Sequence, residues 1–321
     1  MRILVTGSEG YIGKPLTAML TSFGYEVYGF DAQMPIVKNT LLVPFRLKGG
    51  CRGDIEDVGS YIKDVRPDAV IHLAALAEVG GSDEKAAEYE RVNIGGTAAV
   101  LRAMQDVGCR RLLFASSSSV YGNGASLREG DPLDPASVYG KTKRHAEGLI
   151  RGYQQAGHVD ACNMRFFNVI GAAFGYGDEH GTSVVPKVFE WMLAGEERFP
   201  VDGMDLDTPD GTPVRDYVYL GDLCRAILVL LMSDVTGPLN LGSGKGYSVL
   251  EVLDVARLVG QRALEPVDVG PRPNDVYMQV ANVERAQEVL GWSRVVTFVY
   301  AMRTQWEWQS RGGPVGGRSC V

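Results

Sequence analysis

A strand, a glycine-rich turn and a helix open this chain, and together they restrict its fold more than any other feature. Residues 2–6 (RILVT) form an apolar run with β-branched members, and a helical pattern follows over residues 11–23. Gly7, Gly10 and Gly13 lie between the two elements at three-residue intervals. In a dinucleotide site these glycines allow a tight turn, a close approach of the backbone to a pyrophosphate and close helix–strand packing. The predicted cofactor contacts of this turn are Gly7, Gly10, Tyr11, Ile12 and Gly13.

The rest of the chain's first half repeats the alternation of strand and helix. Apolar runs predict further strands at 26–31, 69–73, 111–115 and 161–166, and helical periodicity appears between them at 84–107 and 138–156. Further along the chain, helical periodicity appears at 220–232, 248–259 and 283–290. Apolar strands that are each followed by a helix indicate a doubly wound parallel sheet, the α/β Rossmann fold. We expect a dinucleotide-binding domain over 1–168, a smaller C-terminal substrate-binding domain over 169–309 whose chain returns to the sheet, and a flexible tail over 310–321. Residues 171–181 and 199–214, rich in glycine or in Asp, Gly and Pro, predict two long loops.

Composition excludes several classes of protein. The 321 residues carry a net charge of −7, which argues against nucleic acid as the partner because phosphate binding needs clustered Lys and Arg. No apolar run approaches the roughly 18 residues needed to cross a bilayer, and the N-terminus lacks the apolar stretch of a signal peptide. Five cysteines form no CxxC pair, and four histidines show no metal-ligand spacing. These features predict a cytoplasmic protein with reduced thiols, no membrane segment and no metal site.

Asp31 lies at the predicted end of the second strand, 18 residues after Gly13. A carboxylate in this position can accept hydrogen bonds from both ribose hydroxyls and repels a 2′-phosphate, which favours NAD over NADP. The alternative is an ordinary aspartate in a strand-end turn. Asp54 and Ile55 are further candidates, for the edge of the adenine.

A phenol and an ammonium four residues apart form the second chemical signal. Tyr139 and Lys143 share one face of the predicted helix 138–156. A tyrosine with a pKa near 10 is a poor base at neutral pH, and we expect the ammonium to lower that pKa. The run Ser116–Ser119 follows the preceding strand, so we expect it to open onto the same cleft. For that run alone, a polar loop cap is the alternative.

Together these patterns resemble the extended short-chain dehydrogenase/reductase superfamily, and within it the UDP-glucose 4-epimerase family. The resemblance extends from Met1 to about Trp308. It depends most on residues 208–217 (TPDGTPVRDY), which are similar to the TxDGTxVRDY signature of that family. Three other segments match as well: 165–168 (RFFN), 240–244 (NLGSG) and 272–275 (RPND), the last with Asn274 in place of the usual Gly.

The resemblance implies an NAD-dependent enzyme that inverts C4 of a UDP-hexose or UDP-hexuronate through a transient 4-keto intermediate, with the NAD tightly bound. It assigns proton transfer to Tyr139, the nicotinamide ribose to Lys143 and the sugar 4-oxygen to Ser117. It places Phe167 beside the nicotinamide. It also implies cofactor contacts from Leu73, Ala74 and Ala75, and substrate contacts from Asn168, Val184, Arg215, Arg272 and Asp275. In that last group the asparagine and the two arginines would hold the diphosphate, and Asp275 the nucleoside ribose.

Other members of the same fold remain as alternatives: a dehydratase, a reductase, a decarboxylase, or a non-catalytic NAD-binding regulator. Related dehydratases carry Asp and Glu where this chain has Ser118 and Ser119, and related decarboxylases tend to carry Glu at the second of these positions. Ala77 replaces a lysine that contacts the cofactor. Asp202 replaces an aromatic residue that stacks on uracil, and could instead accept hydrogen bonds from guanine. Gln279 occupies the position whose size governs acceptance of N-acetyl sugars, so the sugar and the base stay open.

The resemblance also implies a homodimer in which helices 84–107 and 138–156 of two copies form a four-helix bundle. The small residues that would permit close helix approach are Ala86, Ala87, Ala98, Ala99 and Ala103. The alternative is that these alanines pack against the sheet of their own chain.

Overall fold

The structure is a computed structural model that describes residues 1–33, 48–78, 84–179, 181, 183–272 and 276–313. The chain forms two compact units. The first unit comprises Met1–Val120, Leu133–Arg165 and Cys224–Leu239, and the second comprises Tyr121–Pro132, Phe166–Leu223 and Asn240–Val321. Each unit is therefore assembled from several segments of the chain.

The described strands, in chain order, are β1 (Arg2–Thr6), β2 (Glu26–Asp31), β3 (Gly49–Arg52), β4 (Ala69–His72), β5 (Arg111–Ser117), β6 (Gly124–Leu127), β7 (Asp160–Phe166), β8 (Asn168–Ile170), β9 (Arg198–Val201), β10 (Val214–Tyr219), β11 (Gly237–Leu241), β12 (Gly246–Ser248), β13 (Glu265–Asp268) and β14 (Met278–Ala281). The α-helices are α1 (Gly13–Ser22), α2 (Val58–Val65), α3 (Ala86–Tyr89), α4 (Gly96–Val107), α5 (Val138–Gln155), α6 (Val184–Ala194), α7 (Leu220–Leu231), α8 (Val249–Gly260), α9 (Glu284–Leu290) and α10 (Phe298–Ser310). Every helix predicted from periodicity is present with its ends within about two residues, while α2, α6 and α10 were not predicted.

A seven-stranded sheet in the described residues is the framework of the first unit, with strand order β11-β7-β5-β4-β1-β2-β3. β1 pairs in parallel with both β2 and β4, and β2 with β3 and β4 with β5 are also parallel. The order reverses direction next to β1, as in a doubly wound sheet. The predicted fold class is confirmed.

The core of the first unit lies between this sheet and its helices. Leu4, Val70 and Leu112 of three neighbouring strands are fully buried, as are Ile62 of α2 and Met104 of α4. Each such side chain stabilises the fold by roughly 1.5–3 kcal/mol relative to exposure. The apolar runs of the sequence are therefore explained by burial on both faces of the sheet.

The predicted helix 84–107 is interrupted. It consists of α3, a π-helical segment Glu90–Gly95 and α4. The interruption coincides with Asn93, whose side chain pairs with the backbone of Leu76. Nδ2 of Asn93 donates to the carbonyl oxygen of Leu76 at 3.1 Å, and Oδ1 of Asn93 accepts from the N–H of Leu76 at 2.8 Å. A π turn is a frequent device for aiming a side chain at a neighbouring element.

The second unit contains a sheet with strand order β12-β10-β14-β6, with β8 pairing in parallel with β10. A separate two-stranded sheet joins β9 and β13 in parallel. The expectation of a loop over 199–214 is therefore wrong at its start, because Phe199 and Val201 are buried in the core and their strand pairs with a distant partner. Helices α6, α8 and α10 enclose that core, with Phe189, Val252 and Met302 fully buried.

Several smaller predictions concern single residues. Of the alanines proposed for a dimer interface, Ala99 and Ala103 are buried in the core of their own unit, whereas Ala87 is exposed. The four described cysteines, Cys51, Cys109, Cys162 and Cys224, form no disulfide, and Cys320 lies outside the described residues. Residues 314–321 of the predicted tail also lie outside them. No described helix is long and apolar enough to span a membrane.

Candidate active site

The turn between β1 and α1 leaves no room for side chains at two of its three glycines. Gly7 has a φ of +72°, and a Cβ there would lie 2.7 Å from the amide nitrogen of Ala74. A Cβ on Gly13 would lie 2.0 Å from the carbonyl oxygen of Gly7. Gly10 differs, because its Cβ would meet only that carbonyl oxygen, at 3.3 Å. A methyl group at Gly10 would need only a shift of a few tenths of an ångström from the Gly7 carbonyl, so packing within the protein constrains this position less than the other two. A stricter need for glycine there would come from a group that approaches from outside.

The start of α1 suits a negatively charged group. Its N-cap residue is Ile12, which makes no side-chain capping bond, and its first turn contains no Asp or Glu. Such an end leaves the positive pole of the helix to an anion. The Asp31 carboxylate lies against the same turn, because it accepts hydrogen bonds from the backbone N–H of Glu9 and of Gln33, each at 2.9 Å. This geometry fits a cofactor with a pyrophosphate and a ribose.

Substituting alanine for each of two glycines should separate stability from cofactor binding. We expect Gly13→Ala to lower the free energy of unfolding by about 2–4 kcal/mol, because the methyl group overlaps backbone. Gly10→Ala should change stability by less than about 1 kcal/mol yet weaken NAD binding about tenfold or more. Urea unfolding and calorimetric titration of NAD into protein stripped of its cofactor measure the two effects. Gly148→Ala, on α5 with open space around it, is the control; unchanged NAD affinity in Gly10→Ala would contradict the assignment.

The residues after β4 border the glycine turn. Leu73 donates its N–H to the carbonyl oxygen of Thr6 at 3.0 Å, and Ala74 donates its N–H to the Thr6 hydroxyl at 3.3 Å. Leu73, Ala74 and Ala75 are all half-buried. The predicted cofactor residues of β4 and of the turn are therefore brought together.

Asp54 and Ile55 precede α2. Both oxygens of Asp54 accept from Nη1 of Arg91, at 2.9 and 2.8 Å, and this guanidinium holds the pKa of the carboxyl below its usual range. Ile55 is buried, and its side chain fills the space where a Cβ on Gly96 would lie, 2.6 Å away. The Asp54 carboxylate is thus held in place by Arg91, a partner that the sequence did not reveal.

Helix α5 lies directly against the chain that follows β5. The Ser137 hydroxyl caps the helix by accepting from the N–H of Gly140 at 3.1 Å. A Cβ on Gly140 would lie 2.2 Å from the carbonyl oxygen of Ser119, so only glycine permits this approach. The close packing brings Tyr139, in the first turn of α5, near Ser117, whose hydroxyl acts to lower the pKa of the phenol.

The three predicted catalytic residues are thus brought together in the first unit. Lys143 is only 3% exposed, and its Nζ donates to the carbonyl oxygen of Ala115 at 2.8 Å. The same Nζ lies 5.8 Å from the centre of the Tyr139 ring. Ser117 donates to the Ser119 hydroxyl and accepts from the Ser119 N–H, both at 3.1 Å. Strand end and helix therefore present a hydroxyl, a phenol and an ammonium on one side of their contact.

The expected lowering of the tyrosine pKa is wrong. Burial raises the pKa of Tyr139 to about 12, and the nearby Ser117 hydroxyl opposes this only in part. Burial also lowers the pKa of Lys143 to about 7, against the attraction of Glu147. Desolvation outweighs the effect of Ser117 on the phenol and of Glu147 on the ammonium, because both groups are buried. A phenolate here needs further positive charge, which a nicotinamide cation would provide.

Two buried polar residues support this arrangement and were not predicted as site residues. The side-chain amide of Asn93 donates to the Thr142 hydroxyl at 3.0 Å, which links the π-helical segment to α5. His72 lies between the hydroxyls of Thr6, at 2.7 Å, and Thr97, at 3.2 Å. Burial lowers the pKa of His72 to about 3, so it is neutral at physiological pH. The histidine is part of the core, as its isolated position in the sequence suggested.

In the second unit, Asn168 and Arg215 lie on the paired strands β8 and β10. The Asn168 amide donates to the carbonyl oxygen of Asp216 at 3.2 Å. Arg215 donates to the carbonyl oxygen of Val214 at 3.1 Å and to that of Val276. Phe167, just before β8, is buried and donates its N–H to the carbonyl oxygen of Leu241 at 3.1 Å. Two of the residues predicted to hold a diphosphate are therefore neighbours.

Asp216 organises this region and was not singled out by the sequence. Its buried carboxylate accepts from the N–H of Ser243 at 2.7 Å, from the Ser243 hydroxyl at 2.7 Å, from the N–H of Gly244 at 2.9 Å and from the N–H of Ala281 at 3.2 Å. Four donors satisfy a carboxylate that would otherwise be costly to bury. This explains why an aspartate follows Arg215 in the VRDY segment.

The remaining predicted substrate residues have different surroundings. Arg272 forms an ion pair with Asp202, the residue at the position of the usual stacking aromatic. Val184 is half-buried at the start of α6. Gln279 is buried, and its amide donates to the carbonyl oxygen of Gly122 at 3.2 Å. Asp275 lies outside the described residues.

Comparison with known proteins gives a consistent result. Residues 3–242 match the NAD dependent epimerase/dehydratase family. The UDP-glucose 4-epimerase of Lactobacillus helveticus is 33% identical over 323 residues, which cover 96% of this chain and 97% of that protein. The structure of UDP-glucose 4-epimerase from Bifidobacterium longum in complex with NAD⁺ and UDP has a TM-score of 0.90 at 28% identity, covering 99% of this chain and 100% of that one. MoeE5, solved with NAD and either UDP-glucose or UDP-glucuronic acid, has a TM-score of 0.84 at 30% identity, covering 97% and 99%.

These matches confirm the resemblance stated from the sequence, the prediction of an enzyme and the prediction of NAD as its cofactor. Among the described residues there is no group of three or more His, Cys, Asp or Glu arranged to hold a metal ion. The chain belongs to the NAD dependent epimerase/dehydratase family.

Proposed function

We propose that this protein is an NAD-dependent 4-epimerase of a UDP-hexose or UDP-hexuronate, in which Tyr139 transfers the proton of the sugar 4-hydroxyl. The relatives from Lactobacillus helveticus and Bifidobacterium longum are UDP-glucose 4-epimerases, which confirms the prediction of a nucleotide-sugar 4-epimerase. The observation that carries the catalytic assignment is the packing of α5 against β5, with Tyr139, Lys143 and Ser117 together at that contact. MoeE5 with UDP-glucuronic acid supports keeping the hexuronate beside the hexose.

The cofactor would be held by the glycine turn, the start of α1 and Asp31, with the end of β4 and the Asp54–Ile55 pair alongside. When bound there, NAD would supply a reversible hydride acceptor for sugar C4 and, in its oxidised form, a positive charge on the nicotinamide ring. Ala77, where the family has a lysine, is exposed and adds no charge to this site. Phe167, which is buried and apolar, would pack beside the nicotinamide.

The residues of the chain would divide the proton chemistry as follows. Ser117 would hold the sugar 4-oxygen, as hydroxyl and then as ketone. Tyr139 would take the hydroxyl proton as the C4–H bond breaks and give it back when the ketone is reduced on its other face. Lys143 would hold the nicotinamide ribose, since an ammonium has three donors and its described bond to Ala115 uses one. Its charge would also favour the phenolate.

The nucleotide part of the substrate would be bound in the second unit. Asn168, Arg215 and Arg272 would hold the diphosphate, Val184 would contact the substrate, and Asp275 would hold the ribose. Guanidinium groups suit this task because they present paired donors to phosphate oxygens. The ion pair of Arg272 with Asp202 orients this arginine before a substrate arrives.

A homodimer through the helices α4 and α5, and a cytoplasmic location, stay predictions. Ala99 and Ala103 are buried within their own unit and are therefore not available to such an interface. Of the alanines predicted for it, Ala86, Ala87 and Ala98 remain. Ser118 and Ser119 stand where dehydratases have carboxylic acids, and neither can expel water from the sugar as an acid. The dehydratase alternative is therefore disfavoured.

The test is a panel of UDP-, GDP-, CDP- and dTDP-sugars incubated with the purified protein, with the products resolved by chromatography. We expect conversion of a UDP-sugar to its 4-epimer without added NAD. An absorbance near that of reduced nicotinamide should develop on the protein and stay with it through gel filtration. Release of NADH into solution, or a product that has lost water or carbon dioxide, would reject the proposal in favour of another enzyme of this fold.

A further inference from the structure

Three consecutive residues at the end of β5 face the same side of α5. The carbonyl oxygen of Ala115 accepts from Lys143 at 2.8 Å, and the Ser116 hydroxyl donates to Oε1 of Glu147 at 2.6 Å. Ser117 is the neighbour whose hydroxyl acts on the pKa of Tyr139. The three helical residues lie four positions apart, so they share one face of the helix. Tyr139 and Lys143 have roles in the proposed function, whereas Glu147 has none.

Glu147 is also one half of a buried ion pair. It is 1% exposed, and Arg165 at the end of β7 is 2% exposed. The guanidinium donates from Nε to Oε1 at 2.9 Å and from Nη2 to Oε2 at 2.7 Å, so the pairing is bidentate. With the Ser116 hydroxyl, the carboxylate has three donors. A buried ion pair often contributes no more to the free energy of unfolding than an apolar pair of the same size. Stability alone therefore does not account for an ion pair at this position.

We propose that Glu147 is a positioning residue for the proton chemistry of Tyr139 and Lys143: Arg165 and Ser116 hold its carboxylate one helical turn behind Lys143, where it faces the ammonium and keeps it against β5. This inference rests on the proposed function, because it assigns Lys143 a charged role there. A lysine without this neighbour would be a cation in an apolar pocket.

The charged and titratable groups around Lys143 come from several elements. On α5 they are Tyr139 and Glu147, on β4 the neutral His72, and on β7 Arg165 behind the carboxylate. The Phe114 ring of β5 lies 4.9 Å from Nζ and adds no formal charge. Burial lowers the pKa of Lys143 to about 7, and Glu147 is the neighbour that raises it. Without Glu147 the lysine would lose its proton at a lower pH.

The test is the pH dependence of kcat for the full-length protein and for Glu147→Gln, with the UDP-sugar that the panel identifies. The loss of activity on the alkaline side, where Lys143 deprotonates, should move to lower pH by about one unit. At pH values above this shifted limb, kcat of Glu147→Gln should be about tenfold below that of the wild type, while KM for the substrate stays within twofold. A purely structural role would lower kcat at every pH and leave the limb in place, and that result would overturn the proposal.

Glu147→Gln leaves Arg165 buried without its partner, so a second variant is needed. Glu147→Gln/Arg165→Gln removes both charges and should fold, and its limb should shift in the same direction, because the carboxylate is the group next to the lysine. Glu288→Gln, an exposed carboxylate on α9, is the control and should keep the wild-type profile. An unshifted limb in the double variant would also reject the inference.

A readout without turnover distinguishes failure of the inference from failure of the proposed function. The Cε signal of Lys143 in ¹³C-lysine-labelled protein, assigned with Lys143→Met, reports its ionisation directly. If this titration moves to lower pH in Glu147→Gln but the wild type converts no nucleotide sugar, the proposed function fails. If the wild type is an epimerase and the titration does not move, the inference fails.

Discussion

Replacing Tyr139 with phenylalanine is expected to lower kcat about a thousandfold while leaving NAD binding almost unchanged. The phenol is the proton-transfer group at the contact of α5 with β5, and removal of a general base costs roughly 10²- to 10⁴-fold. The ring itself, only 8% exposed, stays in place to fill its space. Because the folded protein no longer has to bury a hydroxyl group, we expect no loss of stability. Steady-state epimerisation and calorimetric titration of NAD into protein stripped of its cofactor give the two values.

The control for this variant is Tyr153→Phe, which removes a hydroxyl from the same helix at a half-buried site away from Ser117. It should retain at least half of the wild-type kcat. If Tyr139→Phe kept more than a tenth of the turnover, the proton would have another route and the catalytic assignment would be wrong. A loss of NAD affinity in parallel with kcat would instead mean that the substitution disturbs the cofactor site.

Replacing Lys143 with methionine should have two opposite effects. We expect kcat to fall about a hundredfold or more, since the cofactor ribose and the phenolate both lose a positive neighbour. We expect the free energy of unfolding of the cofactor-free protein at pH 7 to rise by about 1–3 kcal/mol. The pKa of Lys143 is lowered to about 7 by burial, so the unfolded chain binds more protons between that value and the ordinary pKa of 10.5. Wild-type stability from this group therefore increases with pH through that window and is lost as pH falls.

Urea unfolding at pH 7 and at pH 9 measures this contribution, and the gain from Lys143→Met should be smaller at the higher pH. Lys141→Met, which changes an exposed lysine two residues earlier, should alter neither stability nor kcat appreciably. A Lys143→Met protein that is less stable than wild type at pH 7 would show that the ammonium is a net stabilising group. The expected gain reflects an exchange of stability for activity at this site.

The sequence was most informative where local pattern determines structure. The turn at Gly7–Gly13 needs only its own glycines and flanking elements, and the four-residue spacing of Tyr139 and Lys143 follows from helical geometry. Apolar runs predicted the parallel sheet because both of its faces are buried. The segments 165–168 and 208–217 could be assigned only through resemblance to a family, since their neighbours in the chain say little about diphosphate binding.

What the sequence did not predict depends on contacts between distant segments. The pKa of Tyr139 is raised by burial, which spacing cannot express. Asp216 gains its importance from donors 27 to 65 residues away, and Asp54 is held by Arg91, 37 residues further along the chain. The strand β9 was interpreted as loop because its partner β13 is remote and its own sequence carries proline.

The π-helical segment Glu90–Gly95 imposes a constraint on chain length. A π turn holds one residue more than an α-helical turn, and deleting a residue here would restore a regular helix. Deleting a residue from the regular helix α4 instead would rotate the part of the chain before it by about 100°, since a residue of an α-helix turns by that angle. Tyr89, whose hydroxyl donates to the carbonyl oxygen of Glu78 at 2.7 Å, would then move away from Glu78 and lose this hydrogen bond. Surface loops can absorb insertions and deletions, but the segment from Glu90 to the end of α4 cannot. The number of residues in this segment is itself part of the architecture.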